Sequence, residues 1–173
     1  MTLPPFQALL DSHAADLHRF LVASVGRHDG ADCFQETILS ALRAYPRLRN
    51  AENLRGWLFT IAHRKVIDHA RRRTRQAVPV GDPPEPVVAA GPGGSMAGPA
   101  GPVDPGDALA DGEVWAAVKL LPGKQRSAVV QRYLLDRPYE EIAAVIGCSE
   151  AAARQSVRAG LRRLRQEVSH ELA

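Results

Sequence analysis

Cysteine is scarce in this sequence: Cys33 and Cys148 are the only two, and they lie far apart. Disulfide frameworks and four-ligand zinc sites need several closely grouped ligands, so this spacing argues against both and favours a reducing cytoplasm. We interpret the two residues as small thiols packed in helices, rather than as a redox-sensing pair. We expect no metal ion and no other cofactor.

Long apolar segments are also missing. No window approaches the ~20 apolar residues of a membrane-spanning helix, and the N-terminal sequence MTLPPFQALLDSH lacks the basic and apolar regions of an export signal. These absences predict a soluble, cytoplasmic protein that does not insert into a membrane. The alternation of apolar and polar residues that is typical of strands is absent too, which predicts an all-α fold.

Cations are absent from the middle of the chain. Lys and Arg outnumber Asp and Glu by 12 to 7 in residues 1–76 and by 10 to 8 in residues 111–173, whereas residues 77–110 hold 4 acidic residues and no basic one. Half of residues 77–106 are Pro or Gly, a composition typical of flexible linkers. We therefore predict two small helical domains, 1–76 and 111–173, each with a surface for a polyanion. Residues 77–110 would tether them without fixing their relative position.

Before the linker the pattern predicts three or four helices. The first three cover residues 5–25, residues 31–44 and, after the N-cap residue Asn53, the stretch LRGWLFTIAHRKVIDHARRRTRQ. We expect Gly26 and the RHDG segment, residues 27–30, to separate the first two helices. In the second helix, we expect Phe34, Ile38, Ala41 and Leu42 to face the core.

The third of these helices has two unlike faces when it is drawn at 100° per residue. The predicted core face consists of Leu58, Phe59, Ala62, Val66 and Ala70. The opposite face consists of Trp57, Ile61, Arg64, Lys65, Asp68, Arg71 and Arg72. An aromatic side chain beside cations suits an unpaired base and its backbone. The alternatives are that Trp57 belongs to the core and that Arg71–Arg73 are a solvated helix end.

Residues 138–166, PYEEIAAVIGCSEAAARQSVRAGLRRLRQ, predict a helix-turn-helix. A short helix ends at Gly147, and Ser149 caps a second helix that docks through Ala153, Val157, Leu161 and Leu164. The outward residues near the start of that second helix are Arg154, Gln155 and Arg158, which can bond guanine and adenine in a major groove. Further along, Arg162, Arg163 and Arg165 suit phosphates. The alternative is a solvated basic face on an ordinary helical bundle.

Two long segments resemble the extracytoplasmic-function (ECF) sigma factors of the sigma-70 family. DCFQETILSALRAYPRLRNAENLRGWLFTIAHRKVIDHARR, residues 32–72, is similar to their region 2, and LPGKQRSAVVQRYLLDRPYEEIAAVIGCSEAAARQSVRAGLRRLRQ, residues 121–166, is similar to their region 4. The resemblance implies a sigma factor, which is not an enzyme. Such a protein binds bacterial RNA polymerase core enzyme through its β and β′ subunits and directs it to promoter DNA. An anti-sigma factor is a further partner that the family suggests.

The resemblance also assigns roles to individual residues. Asp32, Gln35 and Glu36 would face the coiled coil of the polymerase β′ subunit. The residues implied for the minus-ten element are Arg47, Arg49, Asn50, Asn53, Trp57, Arg64, Lys65, Asp68, Arg71 and Arg72. Those implied for the minus-35 element are Ser149, Arg154, Gln155, Arg158 and Arg162.

Two other classes of protein are considered. A nuclease could use His63, Asp68 and His69, but residues spaced i, i+5 and i+6 scatter around a helix and do not converge on one metal ion. A dimeric helix-turn-helix regulator explains residues 138–166 but assigns no task to DCFQET or to the basic helix before the linker. The sigma-factor interpretation accounts for all three features.

Overall fold

The computed structural model describes residues 3–49, 52–76 and 113–171. Its helices are α1 (Phe6–Val25), α2 (Arg27–Ala44), a short 3-10 turn (Tyr45–Arg47), α3 (Leu54–Gln76), α4 (Glu113–Leu120), α5 (Gly123–Tyr133), α6 (Tyr139–Ile146) and α7 (Glu150–Glu171). No strand occurs in these ranges, and the predicted all-α fold is confirmed. None of the described helices is long and apolar enough to cross a lipid bilayer. The predicted linker, residues 77–110, lies outside the described residues.

The N-terminal unit consists of α1, α2 and α3, which pack on one another. Helix α2 begins at Arg27, four residues before the predicted start, so the RHDG segment belongs to the helix and that part of the predicted break was wrong. The predicted break at Gly26 is confirmed, and its φ of 100° lies in a region that other residues rarely adopt. At Gly30 a Cβ atom would lie 2.8 Å from the Cα of Val22, so a residue without a side chain is needed where α1 and α2 approach closely.

The buried face of α2 agrees with the prediction in part. Its buried residues are Gly30, Cys33, Thr37 and Ala41. Ala41 was predicted, and the predicted residues Phe34 and Ile38 are half-buried against the core. Leu42, which was expected to face the core, is 49% exposed, and Leu39 is 51% exposed. The close approach of α1 favours small residues on the inner face. Thr37 can be buried there because its hydroxyl donates to the carbonyl of Cys33 at 2.7 Å.

The C-terminal unit consists of α4 to α7, with α5, α6 and α7 packed on one another. Helices α5 and α7 cross so closely that a Cβ atom on Gly160 would lie 2.7 Å from Cγ2 of Val129. The predicted inward residues of the helix-turn-helix are confirmed: Ile142 and Ala153 are fully buried, and Val157 is 1% exposed. This packing fixes the angle at which α7 presents its opposite face.

The two units pack against each other in this structure, a contact that the sequence did not predict. Helix α6 lies on α3, and α1 contacts both α4 and α5. Buried apolar residues of both units form one continuous cluster. Two buried polar contacts join the units: Nδ1 of His63 lies 2.7 Å from the Ser127 hydroxyl, and Arg126 donates to the carbonyl of Ser24 at 2.9 Å.

A network of four charged side chains lies at the edge of the contact between the units. Arg55 of α3 donates to Glu141 at 2.9 Å and to Asp16 of α1 at 3.4 Å. Arg137 donates to Asp16 at 3.1 Å and lies 3.8 Å from Glu141. Each cation therefore contacts one carboxylate of each unit. Such partly exposed pairs contribute ~0–1 kcal/mol each, so they orient the units more than they hold them together.

His63 makes the contact between the units sensitive to acid. Burial lowers its pKa to about 4, and the nearby Lys124 and Arg64 oppose protonation further. In the unfolded chain a histidine titrates near pH ~6.5. We predict that neutral His63 contributes its full stabilisation of the folded protein above that pH. This contribution to the free energy of unfolding decreases by about 3 kcal/mol as the pH falls toward 4. Urea unfolding between pH 7 and pH 4 measures this loss.

The control for this prediction is a pair of matched variants. His63→Gln removes the titrating group and should flatten the part of the pH dependence between pH 7 and 5, where most carboxylates are still ionised. His28→Gln changes an exposed histidine, and we expect its free energy of unfolding to depend on pH as that of the unchanged protein does. The same slope in the His63 variant and in the unchanged protein would contradict the prediction.

Candidate nucleic-acid interface

The turn between α6 and α7 has the geometry of a helix-turn-helix. Gly147 ends α6 with φ 67° and ψ 55°, the left-handed conformation, and the amide of Cys148 donates back to the carbonyl of Ala143 at 3.0 Å. The Ser149 hydroxyl accepts from the amide of Ala152 at 3.2 Å, which confirms it as the N-cap of α7. These contacts turn the chain sharply, so that α7 begins directly beside the end of α6.

One face of α7 is open to solvent over its N-terminal half. The predicted minus-35 residues all lie exposed on it: Ser149, Arg154, Gln155, Arg158 and Arg162. The opposite face, which carries Ala153 and Val157, is buried against the rest of the C-terminal unit. Within the described part of the chain, Arg158 and Arg162 form no ion pair, so their guanidinium groups are available to a polyanion.

Arg154 differs from its neighbours because its side chain is held in place. Its guanidinium group forms an ion pair with Glu150, one helical turn earlier, and lies 5.0 Å from the centre of the Tyr139 ring. The hydrogen bond that Arg154 donates to the Glu150 carboxylate raises the pKa of Arg154. The sequence offered one signal of this pair, the i, i+4 spacing of Glu and Arg.

The outer face of α3 is divided between two neighbours. On the side of α2, Lys65 donates to Glu36 at 3.1 Å, and Arg72 lies 3.9 Å from the same carboxylate. On the side of α6, Arg64, Asp68 and Arg71 line a cleft whose other wall is formed by residues 144–147 of the helix-turn-helix. Of the predicted minus-ten residues of α3, Trp57 and Lys65 are half-buried, whereas four keep exposed side chains beside these neighbours: Arg64, Asp68, Arg71 and Arg72.

Trp57 packs at the edge of the core. Its ring lies 5.9 Å from that of Tyr45, which in turn lies 5.2 Å from that of Phe6. The Tyr45 hydroxyl donates to the carbonyl of Pro4 at 2.6 Å, which fixes this aromatic row. Trp57 is half-buried, so the core alternative describes most of its ring and leaves one edge exposed. Ile61, also assigned to the outer face, is half-buried against the same cluster.

The segment before α3 presents cations and a helix cap. Arg47 and Arg49 are exposed, whereas Asn50 lies outside the described residues. The Asn53 side chain accepts from the amide of Gly56 at 2.7 Å, which confirms it as the N-cap of α3. A Cβ atom on Gly56 would lie 2.5 Å from the Asn53 amide nitrogen, so glycine leaves room for the cap.

The exposed face of α2 combines acidic and apolar residues. Asp32 and Gln35 are exposed and Glu36 is half-buried, because it faces Lys65. The same face continues through Leu39 and Leu42, two large exposed apolar side chains that the sequence reasoning did not assign to a surface. Their spacing from Gln35, at i+4 and i+7, was the signal that could have placed them there. Exposed leucines beside carboxylates are typical of protein contact surfaces.

The histidines considered for a nuclease have separate structural partners. His63 is buried against Ser127, and Nε2 of His69 lies 2.8 Å from a carboxylate oxygen of Asp29. Asp68 is exposed and lies 3.9 Å from Arg71. No group of three or more His, Cys, Asp or Glu in the described ranges is arranged to hold a metal ion. Cys33 is buried, which raises the pKa of its thiol and disfavours the reactive thiolate.

Two families match the chain in the order expected of a sigma factor. Sigma-70 region 2 matches residues 9–76, and Sigma-70 region 4 matches residues 111–164. The ECF RNA polymerase sigma factor SigC of Mycobacterium tuberculosis is 31% identical over 87% of this chain and 76% of its own length. The chain belongs to the ECF sigma factors. It is therefore an RNA polymerase sigma factor that acts in promoter recognition and transcription initiation.

Further relatives and solved structures agree with this assignment. The ECF sigma factor SigE of Mycolicibacterium smegmatis is 27% identical to this ECF sigma factor over 94% of the chain and 61% of the relative. RpoE of Bartonella quintana, solved in complex with the anti-sigma factor NepR, has a TM-score of 0.66 at 23% identity, with 95% of this chain and 96% of that chain covered. CnrH, solved with the cytosolic domain of CnrY, has a TM-score of 0.64 at 18% identity, with 95% and 88% covered. These two structures show the shared fold.

The left-handed turn residue of the helix-turn-helix gives a prediction about stability. Nothing lies within 4 Å of a Cβ atom built on Gly147, so only its positive φ opposes a side chain. We expect Gly147→Ala to lower the free energy of unfolding by ~1–2 kcal/mol, as measured by urea unfolding. Gly147→Asn should lower the free energy of unfolding by less, because asparagine adopts the left-handed region more readily than alanine does. Equal losses in the two variants would show that space, not backbone conformation, requires the glycine.

Proposed function

We propose that this sigma factor divides its work between two units joined by a linker. Region 2, residues 1–76, would bind the polymerase β′ coiled coil through the exposed face of α2 and hold the minus-ten element through α3 and the loop before it. Residues 77–110 would be the linker. Region 4, residues 111–173, would read the minus-35 element through α7. The observation that carries the proposal is the open, cationic N-terminal half of α7 on a capped helix-turn-helix.

The acidic and apolar face of α2 suits the polymerase. Asp32 and Gln35 offer polar contacts, and Leu39 and Leu42 offer apolar area that no other described element covers. A surface of this composition repels DNA and favours a protein partner. We extend the predicted polymerase contact from Asp32, Gln35 and Glu36 to include the two leucines.

The closed arrangement of the two units must open before both promoter elements are bound. The two elements lie about 25 base pairs apart, roughly 85 Å along a duplex. Helix α6 contacts α3, and α7 is only about 33 Å long, so the two DNA-binding surfaces lie too close together. The chain from 77 to 110 can span at most about 110 Å, which is enough for the separation. Binding to the polymerase would supply the free energy for it.

The closed arrangement leaves both DNA surfaces exposed but holds them close together. Arg64 and Arg71 line the cleft beside α6 with exposed side chains, and Arg158 of α7 is exposed as well. We therefore expect the free protein to bind promoter duplex weakly, because the two surfaces cannot reach both promoter elements at once in this arrangement. A partner that favours the closed form would keep the protein inactive. The structurally similar RpoE was solved with the anti-sigma factor NepR, and CnrH with the cytosolic domain of CnrY, which supports a protein partner of this kind for this chain as well.

The setting of this activity follows from the family. Transcription takes place in the bacterial cytoplasm, and we propose that the protein works there. Its task is recruitment and promoter recognition, and the polymerase carries out the catalysis. The chain itself would supply no catalytic residue.

Pull-down with core polymerase, followed by run-off transcription on genomic fragments, tests the proposed function. A sigma factor binds core enzyme and starts transcription at defined sites only when core enzyme is present. A dimeric helix-turn-helix regulator, the other candidate, binds a palindromic duplex on its own and gives no retention of core enzyme. Leu39→Asp should abolish the pull-down, whereas Val114→Asp, at an exposed apolar residue of the other unit, should leave it intact.

Removing Arg158 should weaken recognition of the upstream element. A bidentate contact from arginine to guanine provides about 1–3 kcal/mol of discrimination. We expect Arg158→Ala to relax the preference between native and upstream-mutated promoters by about fivefold or more, with core binding unchanged. Lys124→Ala removes an exposed cation from α5 and is the matched control. Transcription from the two promoters in the native ratio would contradict the assigned face.

The cations on the α6 side of α3 should act in strand separation. Arg64→Ala combined with Arg71→Ala is expected to lower open-complex formation on duplex promoters and to reduce its dependence on salt, because phosphate contacts are lost. A promoter that is already mismatched across the minus-ten element should recover part of the activity. Circular dichroism establishes first that the double variant keeps its helices. Equal defects on duplex and mismatched templates would leave only electrostatic attachment for this face.

A further inference from the structure

Tyr139 connects two cations of the helix-turn-helix. It is the first residue of α6, follows Pro138 at the N-cap position, and packs half-buried against the core. The centre of its ring lies 5.0 Å from the guanidinium carbon of Arg154 and 5.3 Å from that of Arg132. Both distances are within the range in which a cation is attracted to an aromatic face.

Arg132 ties this ring to the end of α5. Its guanidinium group donates to the carbonyl of Arg137 at 3.0 Å and to Asp136 at 3.3 Å. Asp136 itself adopts φ 46°, so the chain turns sharply at this point. The ring is therefore bound to a turn whose backbone is fixed by hydrogen bonds, and it does not depend on α7 for its position.

Arg154 is held from two directions as a result. The ring contacts its guanidinium group on one side, and Glu150 accepts a hydrogen bond from one of its terminal nitrogens. A guanidinium group has five N–H donors, so this arrangement leaves others for a base edge. A long, exposed arginine normally loses rotamer freedom when it binds, and one that is already oriented loses less.

We propose that Tyr139 is a positioning residue for promoter recognition, because it orients the Arg154 side chain for hydrogen bonding to a guanine in the minus-35 element. This inference rests on the proposed function of α7. Tyr139 itself need not touch DNA. It acts through Arg154, so the specificity of one or two base pairs would depend on a residue of the first helix of the motif.

The test uses the sigma factor bound to core polymerase. The probe is a duplex library that keeps the downstream half of a promoter transcribed by the unchanged holoenzyme and carries random base pairs upstream. Bound duplexes are sequenced for the unchanged protein and for Tyr139→Leu, Tyr139→Phe, Arg154→Ala and the combination of Tyr139→Leu with Arg154→Ala. The measured quantity is the preference at each upstream base pair.

The expected pattern separates positioning from folding. Tyr139→Leu should reduce the preference about two- to fivefold, the size of an exposed cation–aromatic contact, and only at the base pairs that Arg154→Ala affects. Tyr139→Phe keeps the ring and should retain the preference. The double variant should be no worse than Arg154→Ala alone, because Tyr139 has no role once the arginine is absent. Circular dichroism checks the fold, and if Tyr139→Leu unfolds, Tyr139→Met replaces it as a ringless residue whose unbranched side chain adapts better to the gap.

Other outcomes overturn the inference in distinguishable ways. If the unchanged holoenzyme shows no upstream preference, the reading role of α7 fails and the inference fails with it. If Arg154→Ala reduces the preference but a folded ringless variant does not, the proposed function stands and the role of Tyr139 is removed. A loss spread evenly over all upstream base pairs in Tyr139→Leu would show a general structural role in place of positioning.

Discussion

The relative position of the two units depends on a buried arginine. Arg126, at the start of α5, donates two hydrogen bonds to the carbonyl of Leu121 at 3.2 and 2.9 Å and one to the carbonyl of Ser24 at 2.9 Å. Both carbonyls lie at helix C-termini, where backbone acceptors lack partners and the helix dipole favours a cation. Since the ends of α1 and α4 are joined by one planar group, the units can meet in few orientations.

This contact is suited to be reversible. Burial and the proximity of Arg73 lower the pKa of Arg126, which shows that its charge is desolvated without full compensation. The charged network of Arg55, Asp16, Arg137 and Glu141 is partly exposed and so contributes little. These polar contacts therefore add little net attraction, and the apolar residues that both units share hold the closed form together. A partner that offers a larger surface can therefore open the closed form without unfolding either unit.

The sequence predicted the local structure well because local structure depends on local signals. The caps at Asn53 and Ser149, the turn at Gly147 and the buried face of α7 all follow from residues close in the chain. The prediction of buried residues failed where packing against a helix distant in the sequence determines which side chains are buried. Leu42 looked like a core residue, but the close approach of α1 selects small residues instead. The roles assigned to individual site residues stay predictions.

The contact between the units could not be predicted because its residues resemble solvated ones. In the sequence, Arg126 looks like an ordinary solvent-exposed arginine. Its burial is explained only by the positions of two helix ends, which lie about a hundred residues apart in the sequence. His63 looked like a candidate ligand and proved to be half of a hydrogen bond to Ser127. In both cases a polar side chain is buried because a partner from the other unit satisfies it. Hydrogen bonds between segments that are distant in the sequence become visible only in the folded structure.

The same placement gives the two DNA-binding surfaces different surroundings before any promoter is met. The exposed cations of α3, Arg64 and Arg71, line a cleft whose other wall is formed by α6 of the other unit. The cations of α7 lie on an exposed face, and Arg154 is oriented by residues of its own unit. Region 4 is therefore complete in itself, whereas the surroundings of the α3 cations depend on where the other unit lies. Separation of the units would widen the space beside α3 for a DNA strand and leave the reading face of α7 as it is.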